Sequence, residues 1–469
     1  MNKLLKNWGY LLLSDFSQSL ISFFVFMLLA RKMSPEGFGS LNAILAIATI
    51  FSIFSINLSS NQVIIREVTL HPKGTKEFIR KVLVIRAISL MLTILAIVIY
   101  FFNTKETGTA EIAGISIIVA ATISWDLAES IAFGHLVTKL TTYISIGAGI
   151  CWFLIILLLP VRLINVELVL IVYACILLVR SIFYMGFSFN KYVSPNEESM
   201  AIGYKSIILM SIPFLWMRIM GTVGDQIPIL LLKGHSGNAE VGYYSLGNRF
   251  VMPITLAVST GLRAMFPFMT RLFQENRDEF NKKLTTGFSA VLLFGSSIAM
   301  LLTVSSKFWI PLLFGEAYIN SILPFAYQSW MGVLLCFDLI VASVLAATYR
   351  QNVLALIMSV DVMIIFPLMY FGSSHGAEGM ALARLAGTFV TIMYHIVVVM
   401  LVLKADLRSW KFLFSCVYFV MMLVITIFIG DVFIKVFLIL LLVGLFLAFR
   451  ESPLRYLGRQ FYARKKGLS

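Results

Sequence analysis

Charge is what this chain of 469 residues has least of: Asp, Glu, Lys and Arg make up 13% of it, about half the share of a typical soluble domain. Cysteine is scarcer still. The four present, Cys151, Cys175, Cys336 and Cys416, sit inside apolar runs without a CxxC pair, which argues against a disulfide framework and against a zinc site. There is no HExxH, no GxSxG, no nucleotide-binding glycine loop and no His/Cys/carboxylate cluster with metal spacing. Those absences remove the recognisable enzyme classes, and no metal or cofactor is expected. What fills the chain instead is apolar: 59% of residues, with a mean hydropathy of +0.92. A cytosolic enzyme is excluded, and the expected class is an all-α integral membrane protein, since a bilayer-spanning helix needs roughly 20 mostly apolar residues.

Fourteen apolar windows qualify as spans, at 10–30, 40–60, 82–102, 112–132, 143–159, 168–186, 206–232, 241–266, 285–305, 323–347, 353–371, 379–403, 412–429 and 432–449. The connections are too short for a folded extramembrane domain. The first run is read as a retained span, because it exceeds a signal-peptide core and has no small-residue cleavage site before Arg31. The net charge of +14 suggests a nucleic-acid groove until its distribution is counted. With the N-terminus inside, 24 basic residues fall on inward segments, 6 on outward loops and 7 within spans. That asymmetry predicts both termini on the cytoplasmic side, in contact with anionic lipids, and removes nucleic acid as a partner.

The chain also looks duplicated. Span one ends in Leu29-Ala30-Arg31 and passes through Pro35-Glu36-Gly37-Phe38-Gly39-Ser40 into span two; span seven ends in Leu231-Leu232-Lys233 and passes through Glu240-Val241-Gly242-Tyr243-Tyr244-Ser245 into span eight. Gly39 and Gly242 are 203 residues apart. Six spans per unit in the same sense imply a parallel repeat. The predicted organisation is an N-lobe at 1–205, a C-lobe at 206–405, two extra helices at 406–449 and a basic cytoplasmic tail at 450–469. A short outer turn that merely favours acidic, glycine and aromatic residues is the plainer explanation of the match.

Four segments together carry a family resemblance. They are Arg31-x-Met33-x-Pro35-Glu36-x-Phe38-Gly39, Val63-Ile64-Ile65-Arg66-Glu67, the turn Glu240 to Ser245 with Phe266-Pro267 after it, and Gly376-Ala377-Glu378-Gly379-Met380-Ala381-Leu382-Ala383. Each is weak alone. In their order and placement they resemble the polysaccharide-transporter branch of the multidrug/oligosaccharidyl-lipid/polysaccharide exporter superfamily. The resemblance implies a V-shaped pair of six-helix lobes in a bacterial or archaeal cytoplasmic membrane. It implies a flippase moving polyprenyl-pyrophosphate-linked oligosaccharides to the outer leaflet for O-antigen, capsule or exopolysaccharide assembly, beside a polysaccharide polymerase and chain-length proteins. Three other readings stay open: a peptidoglycan-precursor flippase, a cation-coupled multidrug antiporter, and a membrane polysaccharide polymerase or ligase. The antiporter predicts a carboxylate-dominated cavity, and the enzyme a long outer loop.

Charged groups at bilayer depth cost roughly 2.5–3.5 kcal/mol on insertion scales, so each needs a partner, water or a task. Arg218 and Arg249 lie deepest, on the first two helices of the expected second lobe. Guanidinium stays ionised and presents paired donors that match phosphate oxygens, which makes them candidate pyrophosphate contacts. Internal salt bridges compete, because Asp15, Asp126, Glu129, Asp225, Asp338 and Asp361 lie at similar depth. Arg180 and Arg384 are further cavity candidates, although they, Arg86 and Arg263 are near enough to span ends to snorkel. Lys435 belongs to the last span and receives no role.

Asp15 shares a helical face with Gln18, Ser19 and Ser22. A carboxylate on that stripe suits proton or sodium coupling, the task of a first-helix acid in drug-exporting members of the resembled superfamily; a helix-packing hydrogen bond suits it equally. Asp126 and Glu129, three apart on span four, and Asp225, seven residues after Arg218, are the other coupling candidates. Gln18, Asn42 and Asn57 are candidate sugar contacts, the asparagines lying in a span two rich in hydroxyl and amide groups that also serve helix packing. Pro213, Pro228 and Pro253 predict bent helices. His395 is read as a hydrogen-bonded interior residue or, less readily, a switch.

Overall fold

The computed structural model describes residues 2–71, 75–104, 108–135, 137–193, 202–407 and 409–429; among them it contains helices and no strand. They are α1 Asn2–Lys32, α2 Pro35–Asn57, α3 Asn61–Leu70, α4 Thr75–Thr104, α5 Thr109–Gly134, α6 Lys139–Leu158, α7 Val166–Tyr192, α8 Tyr204–Ser236, α9 Asn238–Glu275, α10 Arg277–Phe314, α11 Ile322–Ala347, α12 Gln351–Ser373, α13 Gly376–Leu403 and α14 Trp410–Phe428, with short 3-10 turns at Val161–Leu163 and Glu316–Ser321. Twelve of the described helical segments are long and apolar enough to cross a membrane, and thirteen if the bent α9 counts as one span. Each of the first thirteen expected spans has its helix. The fourteenth, at 432–449, lies outside the described residues together with Lys435 and the basic tail.

Local chemistry sets the helix ends. The Ser34 hydroxyl accepts from the Gly37 amide and Pro35 opens α2, a missing N–H costing nothing in the first turn. Asn165 caps α7 through the Leu168 amide at 2.8 Å, and Asn276 caps α10 through the Glu279 amide at 3.0 Å. The expected second span at 40–60 is occupied by α2, and Ser60 caps a fresh helix, α3, that starts at Asn61 just beyond it. Lys32 closes a neighbour: its ammonium donates to the carbonyls of Ile156, Leu157 and Leu159 at 2.7, 3.0 and 2.8 Å, satisfying the end of α6. Pro213 and Pro228 lie inside one continuous α8. The 51° bend of α9 falls between Arg263 and Phe268, beyond Pro253.

Packing divides the chain into two compact units, Met1–Ser245 and Leu246–Ser469. The first unit takes in α8, which packs against α2. In the first unit α5 lies along α7 and α1 along α6; in the second, α11 packs against α10 and α13, and α13 also against α12. The α11 interior is aromatic: Trp330 and Phe337 are fully buried, and Phe337 stacks on Phe288 with ring centres 4.1 Å apart.

The two glycines of the duplicated turn meet. A β-carbon on Gly39 would lie 1.7 Å from the carbonyl oxygen of Asn238, and one on Gly242 would lie 2.1 Å from that of Pro35. Each glycine abuts the carbonyl four residues before the other, so the starts of α2 and α9 cross reciprocally. Any side chain there would force the two backbones apart.

Candidate functional site

The charged side chains of the helix interior fall into three kinds of surroundings. In the first unit, Arg86 of α4 is 3% exposed and fully engaged. Its Nε donates to the Ser59 hydroxyl at 3.0 Å, and Nη1 to the Ile123 carbonyl at 2.9 Å. Nη2 donates to the Ser59 carbonyl, to Asn61 Oδ1 and to Asp126 Oδ2 at 3.2, 3.2 and 2.9 Å. Asn61 donates in turn to the other carboxylate oxygen of Asp126 at 2.5 Å. Arg86 therefore does not snorkel. Asp126, expected as a coupling group, spends both oxygens on a closed network tying α3, α4 and α5 together.

One turn along α5, Glu129 faces different company. It lies within electrostatic reach of Arg180 on α7, of Asp126 and of Asp15 on α1, with the Trp125 indole N–H directed at its carboxylate. Arg180 lays its guanidinium carbon 4.0 Å over the centre of the Trp125 ring, a contact that stabilises a cation without consuming its donors. Its Nε is buried and meets no acceptor among the described residues. Trp125 is itself braced by Tyr184, ring centres 4.7 Å apart, and the Tyr184 hydroxyl bonds to Thr141 of α6. Asp15, Glu129 and Arg180 are thus brought together, a grouping of α1, α5 and α7 that hydropathy alone does not reveal. Gln18 is half-buried on the α1 stripe and donates to Ser14 at 3.0 Å.

Arg218 is the third kind. It stands near the middle of α8, is exposed, and makes no hydrogen bond or ion pair with another described residue. Asp225, on the same helix, is exposed and does not pair with it. In the second unit Arg249 is half-buried on α9 and Arg384, on α13, is 7% exposed; both have partners. Arg263 is exposed. Asn42 and Asn57 are buried, and their amides donate to Phe38 and Ile53 of their own helix at 2.7 and 2.9 Å. Expected to face sugar, they are packing groups in this conformation, because a buried amide takes the nearest carbonyl.

The second unit holds a group that was not singled out in advance. His395 on α13 is 1% exposed, with Nε2 3.0 Å from Asp361 on α12 and Nδ1 3.0 Å from Asp338 on α11, the latter without hydrogen-bond alignment. Tyr394 donates to Asp361 and to the Ile357 carbonyl. The signal was present in the sequence. From 338 to the end of α11 at 347, from the start of α12 at 351 to 361, and from 395 to the end of α13 at 403 are similar distances, measured from one face of the helix layer. Among the described residues no three His, Cys, Asp or Glu side chains converge to hold a metal ion.

Outside the spans, His135 caps the end of α5 and stacks on Tyr192 at the end of α7, ring centres 5.3 Å apart. Partial burial pushes its imidazole below the usual histidine range.

The model of a family described as polysaccharide biosynthesis protein matches residues 4–273. The capsular polysaccharide biosynthesis protein CapF of Staphylococcus aureus is 22% identical over 363 residues, covering 75% of this chain and 87% of that protein. Among solved structures, the lipid II flippase MurJ in an inward closed conformation superposes with a TM-score of 0.69 at 16% identity, covering 96% of this chain and 98% of that one. A mutant of the Vibrio cholerae MATE transporter VcmN gives 0.56 at 14% identity, covering 88% and 98%. At these identities the structural likeness establishes the fold.

Proposed function

Because the chain belongs to the polysaccharide biosynthesis protein family, we propose that it flips polyprenyl-pyrophosphate-linked oligosaccharide repeat units from the cytoplasmic to the outer leaflet by alternating access, for cell-surface polysaccharide assembly. It is a multi-pass membrane protein with the fold of flippases and transporters. The finer reading is supported most by one observation: Arg218 stands exposed in the middle of an apolar helix with no carboxylate on it. An uncompensated guanidinium in that position is costly unless an anion visits it. A pyrophosphate headgroup is such an anion, and its oxygens match the paired N–H donors. Arg180, held on the Trp125 face with a donor to spare, is the second contact in this reading, and Arg249 and Arg384 are further ones. Asp15 and Glu129, beside Arg180, are the groups that respond electrostatically when an anion arrives. The excess of basic residues on alternate connections supports cytoplasmic termini.

The test is mass spectrometry of polyprenyl-pyrophosphate glycans in the native host, with the gene deleted and then restored as wild type or as Arg218→Ala. The expected result is one glycan accumulating in the deletion strain, cleared by the wild type and not by the variant. If no such glycan accumulates, the proposal fails; if Arg218→Ala clears it fully, the arginine contact fails.

A further inference from the structure

A single imidazole joins three helices of the second unit. α13 packs on both α11 and α12, which touch each other far less, and His395 of α13 places one ring nitrogen 3.0 Å from a carboxylate of each. The charged or titratable groups facing the ring are Asp338 from α11, Asp361 from α12 and, through Asp361, Tyr394 from its own helix. α10 and α14, which also pack on α11, present none to it among the described residues.

The geometry counts protons. A neutral imidazole has one N–H and one lone pair. With both carboxylates ionised, a neutral ring therefore binds one of them and turns a lone pair toward the other. Both contacts are attractive only when the group holds one more proton, on the ring or on a carboxyl. The loaded group carries a net charge of −1, the unloaded group −2, and the second negative charge is the costlier one in an apolar interior. Losing the proton thus breaks one of the two links and favours opening of that helix toward water. The ring itself is closed off, while the side chains of Asp338 and Asp361 are 39% and 19% exposed, so any proton exchange passes through the carboxylates and not the ring.

We infer that Asp338, His395 and Asp361 form a binding site for one exchangeable proton, whose occupancy decides whether α11 and α12 are both latched to α13, and that this proton drives the transport cycle. The driving role rests on the transporter reading above; the latch does not.

The test uses the full-length protein in lipid nanodiscs. Hydrogen–deuterium exchange of α11 and α12 is followed from about pH 5 to about pH 9, across the histidine range, after correction for intrinsic exchange. In the wild type, protection of the helix whose link is lost, α11 if the neutral ring keeps its aligned bond to Asp361, should fall about ten- to one-hundred-fold through a one-proton step as pH rises, the range for losing one hydrogen bond to a charged partner. His395→Gln should be poorly protected at every pH, and His395→Lys, which keeps a cation there, protected throughout without a step. Should His395→Gln fail to fold, His395→Lys and Asp338→Asn decide the matter, the latter by shifting or abolishing the step. A wild type without a step, or a step that persists in His395→Lys, overturns the latch. In the glycan assay, His395→Lys should not clear the accumulated substrate; full clearance overturns the driving role. Failure of the wild type to clear it would instead overturn the flippase reading and leave the latch standing.

Discussion

Removing the Asp126 carboxylate should unfold the protein far more readily than a surface change, for a reason that can be worked through bond by bond. Arg86 is 3% exposed and its cation has five acceptors, only one of which is charged. Asp126→Ala takes away that charge, and also the acceptor of the Asn61 amide. Breaking a buried pair from one side costs about 3–5 kcal/mol. Four neutral acceptors remain around the guanidinium, which argues for the lower end. Asp126→Asn keeps an acceptor and loses only the charge assistance, so about 1.5–3 kcal/mol is expected. The double change Arg86→Met with Asp126→Leu removes the desolvation penalty together with the attraction, and should lie closer to the wild type than either single change. Denaturant unfolding in detergent micelles measures all four proteins. A loss below about 1 kcal/mol for Asp126→Ala, within the ordinary range of single substitutions, would refute the argument that this pair holds α3, α4 and α5 together. The double variant also separates structure from coupling. If it is stable and still clears the glycan, Asp126 carries no transported ion; if stable but inactive, the coupling role expected from the sequence returns.

Gly39→Ala and Gly242→Ala should each impair glycan clearance in vivo, since a β-carbon at either site would sit 1.7 or 2.1 Å from a backbone oxygen. Gly147→Ala, where a methyl group meets open space, is the control, and equal behaviour of the three variants would show that the reciprocal crossing has no part in the cycle. His135 gives a pH prediction. Burial lowers its folded pKa below the unfolded value, so the unfolded chain binds the extra proton and stability falls as pH drops through the window below about 6.5. His135→Gln should flatten that part of the unfolding profile; an unchanged profile would mean that the stack on Tyr192 does not hold the ring neutral.

The spans were legible because hydropathy reports depth; the helix starts at Pro35, Val166 and Arg277, set by the caps Ser34, Asn165 and Asn276, lie before the apolar windows, which begin later. The pairing of charges was not legible, because depth says nothing about direction around a helix. Arg86 and Asp126 are 40 positions apart, and only the packing of α4 on α5 turns them toward each other. The same holds for Asp338, Asp361 and His395, each visible singly as an ionisable group at depth. Gly39 and Gly242 illustrate a subtler loss. Their matching places in two similar turns suggested a repeat, yet a repeat does not say that the two turns touch. Asn42 and Asn57, candidates for sugar contact or for helix packing, each donate to a carbonyl four residues back on their own helix, a local choice that a count of polar residues in a span does not show.

The three arginine environments of the first unit order themselves by how completely the protein answers the charge, and that order bears on function. Arg86 has all three guanidinium nitrogens engaged and a carboxylate at 2.9 Å; a phosphate arriving there would have to displace most of its five bonds to make new ones, with little net gain. Arg180 is stabilised on the Trp125 face and beside Glu129, with no hydrogen bond at its buried Nε, so an anion competes there with fewer bonds than at Arg86. Arg218 has nothing answering it among the described residues. A substrate that must bind and then leave needs contacts that are available but not deep wells, because only interactions that differ between states of the cycle move it forward. Arg180 and Arg218 meet that condition and Arg86 does not. On the proposed flippase reading, glycan clearance should therefore fall when the charge at 180 or 218 is removed, while position 86 should matter only as far as it holds α4 in place.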